Sequence, residues 1–456
     1  MQRFALLLLS AAGLAGAAYA APPPASSAIG EPTAAEAPRL LLIALDAVPH
    51  DTMDQVARDG SFSGFAGPVP LISTYPSTTS LALAGILEGF GLARSPGYEH
   101  RFFDHQRNRI RGGGLFSYKK HLFPWRKFFD WQSEGLFKKG FLLLRPQKAG
   151  RKSFDRSLAA FAASDKPIYT IYHDLTDLIG HVKGPARLEP LLRHLSDGLE
   201  ALRQRPGAAP FHTVIYSDHG LAGGEPLRNT RKSVKRALKQ GGYRLRGRIR
   251  EPRDVVFIPY GLVSSLVAFT APGEAVGVAR TLAAVEGIDH CVADDTEGWR
   301  IEAATGSAQV LRRQVGDEVQ FAYRPLTGDP LEYADLEAEA TRQDAAPGDG
   351  DAWRSDAWWL ERTGEAAYPD ALYRIARGFD LVENPASLIC SNSDGYMYGA
   401  AYTVFGSRIS TGKLRWTHGA LGREASQGFV MSDASGWQAP EAARFDQALS
   451  YWTKKD

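Results

Sequence analysis

Only two cysteines, Cys291 and Cys390, occur in the 456 residues. Two thiols cannot build the multiply bridged framework of a small secreted domain, and they are not spaced as metal ligands, so metal chemistry has to use other side chains. An oxidising compartment permits one bridge between them, and two buried free thiols fit the sequence equally well. Net charge is nearly absent as well: 53 Lys and Arg face 51 Asp and Glu, a formal total of +2. Nothing global therefore points to nucleic acid as a specific partner, and any basic footprint must be local. No internal repeat is apparent, which excludes a solenoid or propeller.

What is present is globular. Apolar residues make up 44% and charged residues 23%, and the length suits one large α/β unit with insertions. The N-terminus carries Arg3, an apolar run from Phe4 to Ala17 and the small-x-small site Ala18-Tyr19-Ala20, which reads as a signal peptide over 1–20. The run is short for a membrane span and no cysteine follows it to carry a lipid, so an exported protein, periplasmic or secreted, is expected. Residues 21–38, rich in Pro and Ala, are expected to form a flexible leader.

The run RLLLIAL from Arg39 suits a strand buried on both faces of a parallel sheet, and it ends at Asp46. The same pattern recurs at Pro167 to Tyr172, ending near Asp174 and Asp177, and at His212 to Tyr216, ending at Asp218 and His219. Ligand sites in open α/β sheets lie beyond the carboxyl ends of the strands. Helical spacing at 80–88, 156–163 and 188–203 alternates with these strands. The expected fold is α/β, a doubly wound and mostly parallel sheet with helices on both faces. The catalytic core is expected over 39–286, with a smaller β-containing subdomain inserted at 287–388 and a return to the core over 389–456.

Within the core, 101–152 reads as a basic aromatic insertion. It interleaves Arg107, Arg109, Arg111, Lys119, Lys120, Arg126 and others with Phe116, Tyr118, Phe123, Trp125, Phe129 and Trp131. Such a segment can clamp an anionic substrate or touch a membrane peripherally. It can equally be a cap whose aromatics pack inward.

Carboxylates and imidazoles dominate the strand ends. Asp46, Asp177, His181, Asp218, His219 and His418 form a donor set suited to zinc and other borderline divalent metals, Mn2+ included. Asp177 and His181 lie four apart, on one face of a helical turn. Asp174 competes with Asp177 for that role, while His50, His173 and His212 are expected to be surface or supporting residues.

The order of these motifs resembles the alkaline phosphatase superfamily, in particular its nucleotide pyrophosphatase/phosphodiesterase branch. An Asp ends the first strand (LLIALD46), a T-F/Y-P turn follows (Thr74-Tyr75-Pro76), then D-x-x-G-H-x-x-G-P (Asp177 to Pro185), D-H-G (Asp218 to Gly220) and a late His418-Gly419. The resemblance implies two zinc ions, one on Asp177, His181 and His418, the other on Asp46, Asp218, His219 and the Thr74 oxygen. It implies Thr74 as nucleophile and a phospho-threonine intermediate. The implied substrate is an anionic phosphoester, either a small molecule or a lipid or glycan head group. Two departures from the branch are Ser77 where an Asn is usual, and Glu99 or His100 where a phosphoryl-binding Asn belongs. Rival readings are a phosphomonoesterase, which would show an Arg soon after the nucleophile whereas the first is Arg94, a head-group transferase sharing the first step, and a non-catalytic exported binding protein. A sulfatase would need a Cys/Ser-x-Pro-x-Arg motif, which is missing.

Overall fold

In the computed structural model of the chain, residues 38–112, 123–133, 145–207, 209–258, 261–343, 351–399 and 414–453 are described. The signal segment and nearly all of the leader lie outside them, as do Phe116, Tyr118, Lys119 and Lys120 of the basic insertion.

Strand Arg39–Leu45 lies inside a seven-stranded sheet. It pairs in parallel with Ile168–His173 on one side and Phe211–Ser217 on the other, in registers that bring Leu45, His173 and Ser217 level. Trp131–Gln132 continues the sheet in parallel beyond Ile168–His173. At the other side, Gln427–Ser432 runs antiparallel both to Phe211–Ser217 and to Ala66–Ile72, and Ala443–Arg444 closes that edge. The sheet is thus mostly parallel, with one reversed strand.

Both faces are covered, which is why RLLLIAL is apolar without alternation. Leu41, Ile43 and Leu45 pack with helices His50–Arg58, Pro146–Ala162 and Glu189–Arg203. Leu42 and Ala44 pack toward helices Thr79–Ile86 and Ala371–Asp380. This second layer continues without a break into another sheet, of nine strands and almost wholly antiparallel. The boundaries expected at 287 and 388 fall inside that sheet: Leu388–Asn392 pairs with Ser265–Thr270 on one side and Ile288–Asp295 on the other. Cys291 and Cys390 stand directly opposite across that second pairing and are bridged.

The described part of the basic insertion is built into the core. Phe103, Phe123, Trp125 and Phe129 are buried, so its aromatics pack inward. Trp125 and Phe129 rest against Tyr172 at ring separations of 5.1 and 5.3 Å. The helix expected from 156 begins ten residues earlier, at Pro146, where proline is well placed because its missing N–H would have no helical partner.

Candidate metal centre

The three level strand ends deliver the first donors. Asp46 follows its strand directly, and the next residue, Ala47, sits in the left-handed region at φ 57, a strained conformation for a residue with a Cβ. That bend points the Ala47 N–H at Asp218 Oδ1, 3.1 Å away, and the Val48 N–H at Ser217 Oγ, 2.8 Å away. Ser217 in turn donates to the His219 carbonyl at 3.0 Å. The turns after the two strands are therefore fastened to each other, and Asp46, Asp218 and His219 each place one donor atom within 4.8 Å of the other two.

A second trio forms beside it. Asp177 and His181 lie on helix Leu175–Lys183, and their donor atoms meet that of His418 within the same 4.8 Å limit. The motif glycines explain themselves sterically. A Cβ on Gly180 would stand 2.3 Å from Leu221, and Gly184, at φ 84, would meet Trp416 at 2.8 Å. The trios abut: the rings of His219 and His418 stack at 4.0 Å.

All three imidazoles are oriented alike. Nδ1 of His181 lies 2.7 Å from the Trp416 carbonyl, Nδ1 of His418 lies 2.9 Å from the Ser77 carbonyl, and Nδ1 of His219 lies 3.1 Å from the Gly220 carbonyl. A carbonyl only accepts, so each Nδ1 carries the proton and each Nε2 turns its lone pair inward. Those Nε2 atoms face carboxylate oxygens: His181 to Asp177 at 3.1 Å, His219 to Asp218 at 3.4 Å and to Asp46 at 3.5 Å. Lone pair against lone pair is repulsive unless a cation lies between them. Consistently, Asp177 Oδ1 and Asp218 Oδ2 are buried with no hydrogen-bond partner. The donor set, its tautomers and these orphaned oxygens fit divalent metal ions.

The electrostatics agree. Burial pushes the Asp46 carboxyl well up, helped by the charges of Asp218 and Asp177. Burial likewise raises Asp218 to about 8, with Asp177 adding to it. Burial pulls His219 down to about 4 and His418 to about 3. For Asp177 burial acts upward, but in the metal-free fold, where no cation separates the pair, the charge of His181 outweighs it and holds the carboxyl low; burial pulls His181 down, and the charge of Asp177 outweighs that and raises it. The Tyr172 hydroxyl donates to the outer oxygen of Asp46 and, pushed up strongly by its burial, remains a donor.

Thr74, the expected nucleophile, lies apart from the donors. Its side chain is fully buried and its hydroxyl donates to the Pro76 carbonyl at 3.0 Å, with no hydrogen bond to either trio among the described residues. The turn is held there by Arg374, a fully buried guanidinium that donates to the Ser73, Thr74, Pro369 and Leu421 carbonyls. The residue that reaches the donors is Thr79, whose Oγ1 lies 3.2 Å from Asp46 Oδ1 and 3.3 Å from His219 Nε2. It is the first residue of helix Thr79–Ile86. Side chains lean toward the N-terminal end of a helix, so a residue in this place projects beyond it.

Asp174, the rival of Asp177, is engaged instead with the Ser133 hydroxyl. His173 is neither a surface group nor in contact with the trios: it is buried between Ser153 and Ser157, at 3.3 and 3.1 Å. Ser77, where the branch usually has Asn, accepts from the Gly419 N–H and donates to the Ala420 carbonyl, which fixes the loop carrying His418.

No protein-family model matches the chain, and no curated protein matches it. Among solved structures it is similar to murine ectonucleotide pyrophosphatase/phosphodiesterase 5, with TM-score 0.48 and 10% identity, covering 91% of this chain and 93% of that one. Phosphonoacetate hydrolase from Sinorhizobium meliloti 1021, in complex with phosphonoformate, gives TM-score 0.48 and 12% identity over 91% and 95%. An inactive form of the murine protein in complex with AMP gives TM-score 0.45 and 10% identity over 91% and 95%.

Proposed function

We propose that the protein is a metal-dependent phosphoester hydrolase that works through a phosphorylated Thr79. The observation that carries this reading is the Thr79 hydroxyl, set between Asp46 and His219 at the start of a helix. Two divalent cations, zinc or manganese by donor type, held by Asp46, Asp218 and His219 and by Asp177, His181 and His418, supply charge that acidifies a hydroxyl and offsets charge on phosphoryl and leaving oxygens.

The protein's own groups do the rest. Thr79 Oγ1 loses its proton and bonds to phosphorus while the bond from phosphorus to the leaving oxygen breaks and that oxygen takes a proton. The first N–H groups of a helix have no intrahelical partner and carry partial positive charge. Leu81 and Ala82 donate theirs to the Thr78 carbonyl, and those of Thr79 and Ser80 are available to a phosphoryl oxygen. Water then attacks the phospho-threonine, releasing phosphate or its monoester and restoring the hydroxyl.

A phosphodiester is favoured over a monoester. The arginine that contacts the nucleophile turn, Arg374, engages its guanidinium with backbone carbonyls, which leaves it unable to grip a dianionic phosphate. The test is a screen of matched aryl diester and monoester substrates with zinc or manganese, combined with mass spectrometry of acid-quenched protein. Phosphate on the peptide bearing Thr79 and a higher kcat/KM on the diester are expected. Turnover with no covalent phosphate on that peptide would overturn the covalent route.

A further inference from the structure

The near balance of charge conceals a strong separation. Residues 101–112 and 226–253 together carry fifteen Lys and Arg against two Asp and Glu, so the remainder of a chain whose formal total is only +2 is net acidic. The two segments are distant in sequence but clasped in space. The Asn108 side chain donates to the Ile249 carbonyl and accepts from the Ile249 N–H. This sets the exposed Arg107, Arg109 and Arg111 of the hairpin Arg101–Asp104/Arg109–Gly112 beside the exposed Arg246, Arg248 and Arg250.

Helix Arg231–Gln240 extends the surface. It buries Val234 and Leu238 and exposes Lys232, Lys235, Arg236 and Lys239. The following turn folds back on the helix through the Tyr243 N–H to the Leu238 carbonyl at 2.8 Å. Asp104 ties Arg107 and Arg111, and Glu251 ties Arg244. The four helix cations, Arg109, Arg246, Arg248 and Arg250 make no ion pair among the described residues. Among the described residues of these two segments no Phe, Tyr, Trp, Leu or Ile side chain is exposed; Phe103 and Tyr243 are buried. A single-stranded nucleic acid would want stacking rings, and an inserting helix would want an apolar wedge. A broad field of unpaired cations suits a plane of phosphate head groups.

We propose that this surface docks the protein on an anionic lipid bilayer by charge alone. The proposal stands apart from the catalytic reading, since none of these residues touches the metal donors. Full-length protein is sedimented with vesicles of phosphatidylcholine alone or with about 30 mol % phosphatidylglycerol, at low and high salt. Binding is expected only to the anionic vesicles and is expected to be lost at high salt. Lys235→Glu with Arg236→Glu, and separately Arg246→Glu with Arg248→Glu, should each weaken it by about tenfold or more. Circular dichroism and turnover of a soluble substrate should match the parent. Equal binding to neutral vesicles, indifference to both charge reversals, or tighter binding to a soluble polyanion such as single-stranded DNA at matched charge would overturn it.

Discussion

The hydroxyl of Thr79 donates to Asp46 across 3.2 Å, joining the first residue of a helix to the residue that ends a central strand. On the proposed reading, a nucleophile placed in this way is separable from the groups that would hold the metals. Thr79→Ala should therefore lower turnover by at least about a thousandfold, ~4 kcal/mol at the barrier, while bound metal measured by plasma emission stays near the parent value. Thr74→Ala removes only a buried hydroxyl bonded to its own turn and should cost about 1 kcal/mol of stability, with turnover largely kept. The opposite pattern would restore Thr74.

Asp218→Asn removes a charged donor whose other oxygen already holds the Ala47 N–H. Metal affinity should fall by at least about tenfold, ~1.4 kcal/mol, and activity should be recovered in part by excess metal. Competition with a chelating dye reads the affinity directly. Affinity within twofold of the parent would remove Asp218 from the donor set.

The charge of that carboxyl also sets a pH dependence. Burial, with Asp177, raises Asp218 in the metal-free fold to about 8, above the ordinary carboxylate near 3.9. Between those values the folded chain holds a proton that the unfolded chain has lost, so this group's contribution to metal-free stability falls as pH rises, by ~1.4 kcal/mol per unit at most. A cation must displace that proton. Calorimetry at pH 7 in buffers of different ionisation enthalpy should show proton release on metal binding, declining above pH 8, and Asp218→Asn should release less. No buffer dependence would refute the assignment.

The bridge between Cys291 and Cys390 spans a sequence separation of 99. Loop-closure entropy on that scale is worth ~4–5 kcal/mol. Replacing both residues by alanine should lower the denaturant midpoint accordingly, with little change in kcat, because the pair joins strands of the second sheet and makes no contact with the trios. An unchanged midpoint would show that the bridge does not constrain the unfolded chain.

Much of the site was legible because its donors obey local rules. Asp46, Asp218 and His219 follow apolar runs whose length and composition mark strand ends, and the Asp177–His181 spacing marks a helical face. Thr79 was not legible by the same means. Six serine and threonine residues crowd 73–80, and the choice among them depends on Arg374, which lies some 300 positions later and draws the Ser73 and Thr74 carbonyls away. In the sequence Tyr172 is marked only as part of a buried strand, although its hydroxyl steadies Asp46. The second sheet was hidden for a related reason: strand Leu388–Asn392 sits between partners on either side whose sequences precede it, and pairing over such separations leaves no local trace.

Strand Gln427–Ser432 lies between Ala66–Ile72 and Phe211–Ser217, and this imposes an order on biosynthesis. Residues up to Ser217 contain both parallel neighbours of the Asp46 strand, but they cannot join Ala66–Ile72 to it until Gln427–Ser432 has emerged and threaded between them. A ribosome-bound chain stopped short of residue 427 has an open seam in its main sheet. On the proposed reading, catalytic competence is therefore withheld from a nascent chain until Gln427–Ser432 has been made.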